Sequence, residues 1–157
     1  PELVILPPDF DKYRRVSGQI QDIFRTFTNI IEPLSLDEAF LDVTESPLHA
    51  NSATRIAEAI RRRVREAVNI TVSAGVAPNK FLAKVASDWR KPDGLFVITP
   101  EQIDDFVAAL PVKRISGVGR VTEDKLTALG IKTCGDLRGL SRLELAGHFG
   151  SFGERLY

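Results

Sequence analysis

Leu34-Ser35-Leu36-Asp37-Glu38-Ala39-Phe40-Leu41-Asp42 sets two adjacent carboxylates between two short apolar runs. Burying an Asp-Glu pair is costly unless something cationic compensates both charges. A divalent metal does so: magnesium takes oxygen ligands, commonly one or two carboxylates together with the phosphates of a bound substrate. Successive residues of a regular strand point to opposite faces, so Asp37 and Glu38 can share an ion only where a strand bends or begins. Taken alone, such a pair is more often a solvated turn, and its surroundings decide between the two readings.

Those surroundings read as strands, Ile31 to Ser35 and Glu38 to Val43, short, apolar and suited to a pleated surface. Upstream, Phe10, Tyr13, Val16, Ile20, Ile23, Phe24, Phe27 and Ile30 recur at spacings of three and four, which predicts a helix capped by Asp9. Before it, Leu3 to Leu6 reads as a short buried strand stopped by Pro7-Pro8. Downstream, a helix is predicted from Ser52 to Val68, with Ile56, Ala57, Ile60, Val64 and Ala67 on its inner face. Then follow a strand over Thr71 to Val76 and a helix over Pro78 to Ser87 with proline in its first turn. Lys91-Pro92-Asp93-Gly94 is a turn signal, and Leu95 to Ile98 a closing strand.

From Thr99 the texture changes to short helices separated by glycine. Thr99-Pro100-Glu101-Gln102 and Ser141-Arg142-Leu143-Glu144 have capping-box patterns. A boundary is therefore expected near residue 99, with a mixed, helix-covered sheet in residues 1 to 98 and an all-helical unit in 99 to 157, an α+β chain.

Composition bounds the function without naming it. The 157 residues are 43% hydrophobic and 27% charged, and no apolar run approaches the roughly 18 to 20 residues that span a bilayer, so a cytoplasmic location is the expectation. Cys134 is the only cysteine, which excludes an internal disulfide and reads as a buried small hydrophobe. Net charge is zero, with 21 basic and 21 acidic residues, so any contact with nucleic acid rests on local geometry and not on a basic field. The chain contains no methionine and opens inside an apolar run, so an upstream segment is expected. The Arg61-Arg62-Arg63 run with Arg65 reads as a solvated helix face. His49 and His148 stand isolated, and Trp89, Phe149 and Phe152 read as packing residues before base-stacking platforms.

Ser35 to Thr44 closely resembles the palm motif of the Y-family DNA polymerases. Ser73-Ala74-Gly75-Val76-Ala77-Pro78-Asn79-Lys80-Phe81-Leu82-Ala83-Lys84-Val85-Ala86-Ser87-Asp88 is similar to the second signature of that family, and Lys91-Pro92-Asp93-Gly94 to its continuation. The resemblance implies a palm with a mixed sheet flanked by helices over residues 1 to 98, then a small helical thumb over 99 to 157. It implies that Asp37 and Glu38 are two of three metal-binding carboxylates for two Mg2+ ions, and that Lys91 contacts the triphosphate of the incoming nucleotide. On sequence alone Lys91 is an exposed turn lysine. Asp42 alternates onto the same face as Glu38, but the family pattern gives it a structural role. The family's other metal-binding Asp belongs to an Asp-x-Asp element on an apolar N-terminal strand. Asp9-Phe10-Asp11 has that spelling but is followed by helical periodicity, so that ligand and the fingers are expected upstream of Pro1.

Ile115-Ser116-Gly117-Val118-Gly119 followed by a helix from about Val121 to Leu129 resembles a helix-hairpin-helix, a DNA-backbone binder that ignores sequence. Gly117 and Gly119 permit close approach, and turn amides ahead of a helix start can point at a phosphate. Ser116, Gly117, Val118 and Gly119 are the expected DNA contacts; as a bare pattern, a plain helix connection fits equally well. Lys113, Arg114, Arg120 and Lys125 could add charge around it. The resemblance implies a template-directed DNA polymerase for translesion synthesis, a monomer binding primer-template DNA and deoxynucleoside triphosphates. Its sliding-clamp contacts would lie in segments beyond Tyr157. Two rival readings are a non-catalytic DNA-binding module and a catalytically inactive paralogue.

Overall fold

The computed structural model describes residues 3–48 and 52–157, so His49 lies outside the described residues. Two compact units divide the chain, one ending at Val97 and the other beginning at Ile98.

In the first unit, α1 (Phe10–Arg25) starts where Asp9 accepts a hydrogen bond from the Lys12 amide at 2.9 Å, as the cap residue type dictates. It stops at Thr26, so Phe27 and Ile30 fall beyond it, although their spacing continues the helical pattern. Phe27 is nonetheless buried, in the core rather than on the helix. β1 (Ile31–Pro33) and β2 (Ala39–Leu41) form an antiparallel pair with Glu32 opposite Phe40. α2 (Ala53–Val68), capped by Ser52, turns Ile56, Ala57, Ala59, Ile60 and Val64 inward. β3 (Ala74–Val76) and β4 (Leu95–Val97) pair in parallel through the crossover helix α3 (Lys80–Trp89), which packs on both strands. Phe27, Ile56, Ala59, Ile60 and Val64 form the core, with Ile20, Ile23 and Phe24 of α1 and Leu41, Val43 and Val72 packed against it.

Two expectations need correction here. Leu3 to Leu6 is no strand: all four residues are irregular and at least 75% exposed. An apolar run buries itself only against a partner, and no described strand lies beside this one. Ala67 is exposed and Ala59 buried, because the buried face of α2 ends at Val64, short of the helix's last turn. The expected mixed sheet is present as two pairs, β1–β2 antiparallel and β3–β4 parallel, with β2 and β3 each having a single partner among the described residues.

The second unit is helical: α4 (Ile103–Ala109), α5 (Arg120–Ala128), α6 (Cys134–Leu137), α7 (Arg142–Phe149) and α8 (Ser151–Leu156). Val112, Leu126, Ile131, Leu137 and Leu145 form its core. Both expected capping boxes are present, and Thr133 with Asp136 makes a third that precedes α6. Cys134 is buried and unpaired, and burial pushes its thiol pKa up.

Ile56→Ala is expected to destabilise the chain by about 2–5 kcal/mol in urea unfolding, whereas Ala67→Gln should stay within about 0.5 kcal/mol of wild type. Equal losses from the two would contradict this orientation of α2.

Candidate active site

A five-residue connection, Leu34 to Glu38, joins β1 to β2. Its end is pinned by the Glu38 carbonyl, which accepts from the Leu34 amide at 2.9 Å and the Ser35 amide at 3.2 Å. The Ser35 hydroxyl donates to Asp37 Oδ1 at 2.6 Å and accepts from the Asp37 amide at 3.4 Å. Asp37 and Glu38 thus stand at a bend immediately before β2, where consecutive side chains escape the strict alternation of a strand.

Asp37 is exposed, Glu38 is half-buried, and both line a cleft of about 970 Å³ with Lys84 and Lys91. The cleft is otherwise mostly apolar, walled by α1, β2, α2 and β3. Lys84 Nζ lies 2.7 Å from Glu38 Oε1. Lys91 Nζ lies 2.6 Å from Asp88 Oδ1. That hydrogen bond to Asp88 raises the Lys91 pKa against the opposing effect of burial, and the charges of Glu38 and Asp37 add to the rise. The sign follows: the Lys91–Asp88 pair is complete through neutral pH and is lost only as pH climbs through the raised value.

The donor chemistry suits a hard cation. Asp37 and Glu38 offer carboxylate oxygens at one bend, the ligand type that magnesium prefers, and Glu38 already attracts an ammonium. Among the described residues no third His, Cys, Asp or Glu converges with them. Asp42 is occupied elsewhere: its carboxylate accepts from the Thr44 amide at 3.0 Å, and bonds from Thr44 hold its pKa down. Its carbonyl accepts from Thr28 Oγ1 at 2.6 Å, so the residue ties the end of β2 to the segment after α1. Asp9 is a helix cap, and Asp11 pairs with Arg14 on the exposed face of α1.

Sequence reasoning did not single out Lys84, which needs a partner 46 residues away to acquire meaning. The arginine run is largely exposed, as a solvated face requires, yet three of its members also hold neighbours. Arg61 binds Val72 and Asp93, Arg65 pairs with Asp93, and Arg63 bonds Thr26 and lies 4.6 Å above the Phe27 ring. Periodicity shows that a residue faces outward but not what it meets there.

In the second unit, the Val118 amide donates to the Ile115 carbonyl at 3.0 Å and closes the Ile115 to Gly119 turn. Gly117 has φ +94°, where a β-carbon would also come within 3.0 Å of Phe152 Cε2. Gly119 is the N-cap of α5. First-turn amides of a helix have no carbonyl partner within it, so the α5 start can receive an acceptor from outside. Phe152 packs at Gly117 with Arg155 over its ring, Phe149 packs against the core, and Trp89 in the first unit stacks on Phe96, all structural placements. His148 sits in the last turn of α7 beside Phe149.

Two family models match the chain: the impB/mucB/samB family over residues 1–88 and the DNA polymerase-iota thumb domain over residues 113–157. The chain belongs to the impB/mucB/samB family, the Y-family of DNA polymerases. Within that family it is 67% identical over all 157 residues to a DNA polymerase IV of Ectopseudomonas mendocina and to one of Pseudomonas aeruginosa PAO1, covering 45% of each. It therefore spans less than half the length of these curated relatives. Among solved structures it is similar to DinB from Sulfolobus solfataricus, with a TM-score of 0.88 and 34% identity over 98% of this chain and 46% of that one. It is also similar to an insertion ternary complex of Dbh DNA polymerase, with a TM-score of 0.89 and 34% identity over 98% and 45%.

Gly117→Ala is expected to cost about 1–3 kcal/mol in urea unfolding, from the positive φ and the Phe152 contact together. Gly119→Ala, at φ −88° with open space around the glycine, should cost clearly less. A Gly117→Ala chain as stable as wild type would contradict the turn described here.

Proposed function

We propose that this chain supplies the catalytic palm core and the DNA-gripping thumb of a translesion DNA polymerase of the polymerase IV type. The observation that carries the reading is the bend before β2, where Asp37 and Glu38 open into the same cleft as Lys91. The relatives bearing the name DNA polymerase IV and the polymerase complexes of like fold support it.

Asp37 and Glu38 would hold two Mg2+ ions together with a further carboxylate from a segment outside this chain. When bound, the metals stabilise the attacking and leaving oxygens of an in-line phosphoryl transfer. The chain's own residues do the positioning on which such catalysis mostly depends. Asp37 would help hold both ions, and Glu38 would act mainly at the site of the primer 3′-hydroxyl. The Lys91 ammonium offsets negative charge on the triphosphate of the incoming deoxynucleotide. β2 and β3 each keep one edge unpaired among the described residues, where a further palm strand could add. In the thumb, the Ser116 to Gly119 turn and the α5 start hold a backbone phosphate of primer-template DNA without reading its bases.

The complete protein would work as a cytoplasmic monomer in the response to DNA damage, with a sliding clamp engaged through segments beyond Tyr157. A second reading is favoured by the two carboxylates that stand without a third among the described residues. On that reading, the isolated 157-residue chain grips DNA in a salt-dependent way and extends no primer.

A chimaera in which this chain replaces the matching 157 residues of the Pseudomonas aeruginosa polymerase IV tests the proposal. It is expected to extend a primer opposite template DNA. Asp37→Ala should lower the extension rate by a factor on the order of 10²–10³ or more with the fold intact by circular dichroism. Asp42→Ala should reduce stability more than chemistry. An Asp37→Ala chimaera extending at the parent rate would refute the assignment, and a chimaera that binds DNA but never extends it would favour the binding-module or inactive-paralogue reading.

A further inference from the structure

Lys91 ends a flexible four-carbon stem on an exposed turn, so its use depends on what fixes the turn. Asp93, two residues on, has φ +49°, a conformation that residues other than glycine seldom adopt. Asp tolerates this conformation better than most residues, and residues of α2 hold it there. Arg61 Nη2 donates to Asp93 Oδ1 at 2.9 Å and also to the Asp93 carbonyl, while Arg65 pairs with the other carboxylate oxygen. Arg61 is itself anchored, because its Nε donates to the Val72 carbonyl at 3.2 Å just before β3. Its side chain is only 20% exposed and that of Asp93 28%, which sets this contact apart from the exposed surface pairs of the molecule. The next residue is fixed to β3 as well: the Gly94 amide donates to Ser73 Oγ at 3.2 Å, and the Gly94 carbonyl accepts from the Ala74 amide at 2.9 Å.

A planar guanidinium that grips a backbone carbonyl and a carboxylate of one residue constrains both its position and its orientation, which a point-charge ammonium does not. Because Ile56, Ile60 and Val64 of the same helix are core residues, the turn is referenced to the most rigid part of the unit. We propose that Arg61 is a positioning residue for nucleotide binding: through Asp93 it sets where the turn presents Lys91 to the triphosphate. The inference rests on the reading of Lys91 given above.

The chimaera separates the two claims. Lys91→Ala is expected to raise KM for the incoming deoxynucleotide, and Arg61→Ala to raise it about tenfold with kcat changed less than about twofold. Arg61→Lys keeps the charge but not the fork and should recover only part of the loss. In a Lys91→Ala background, Arg61→Ala should add less than about twofold, because both act through one ammonium. Asp93→Ala, which removes the carboxylate acceptor but keeps the carbonyl, should raise KM in the same way by part of the Arg61→Ala effect and serves if the arginine variant folds poorly. If Lys91→Ala raises KM while Arg61→Ala and Asp93→Ala do not, or if the Arg61 and Lys91 losses multiply, Arg61 has no positioning role. If Lys91→Ala leaves KM unchanged, the reading of Lys91 fails and the inference falls with it.

Discussion

Two carboxylates on consecutive residues of a short connection put two negative charges at one bend, in a cleft that also holds Lys84 and Lys91. The ion pair of Lys84 with Glu38 is the contact that orients this bend. It joins the β1–β2 connection to α3, and α3 is the crossover that brings β3 and β4 together in parallel. Ser35 holds Asp37 from within the bend, and Lys91 adds a second positive charge in the same cleft. With both partners part-exposed, the Lys84–Glu38 pair contributes little to stability by itself, so its value is in orientation.

The elements that position the site are held by ordinary burial. The inner face of α2 closes the core from one side, while its arginines reach outward to Asp93 and Thr26. One helix therefore fixes both the hydrophobic interior and the turn that carries Lys91. The second unit has its own core and three capping boxes, and its hairpin depends on a glycine that no other residue replaces without strain.

What could be read from sequence was local. Asp9, Ser52 and Ser141 mark helix starts because a cap is satisfied within three residues, and the Asp37–Glu38 bend follows from its neighbours. What could not be read was tertiary. The Lys84–Glu38 and Arg61–Asp93 contacts join residues 46 and 32 positions apart, and an isolated lysine or arginine carries no mark of its future partner. Leu3 to Leu6 misled for the same reason in reverse, since its apolar residues suit a strand and no described strand lies beside it. Asp42 was placed by the family pattern, and its bonds to Thr44 and Thr28 supply a physical account of that placement.

The central claim is that Asp37 ligates the catalytic metal. A thiolate is a soft ligand that disfavours magnesium and accepts softer ions. Asp37→Cys in the polymerase chimaera should therefore be inactive with Mg2+ and regain primer extension when Mn2+ or Cd2+ is supplied, while Asp37→Ala stays inactive with every ion. Undiminished extension by Asp37→Cys with Mg2+, or equal rescue of Asp37→Ala, would contradict the account.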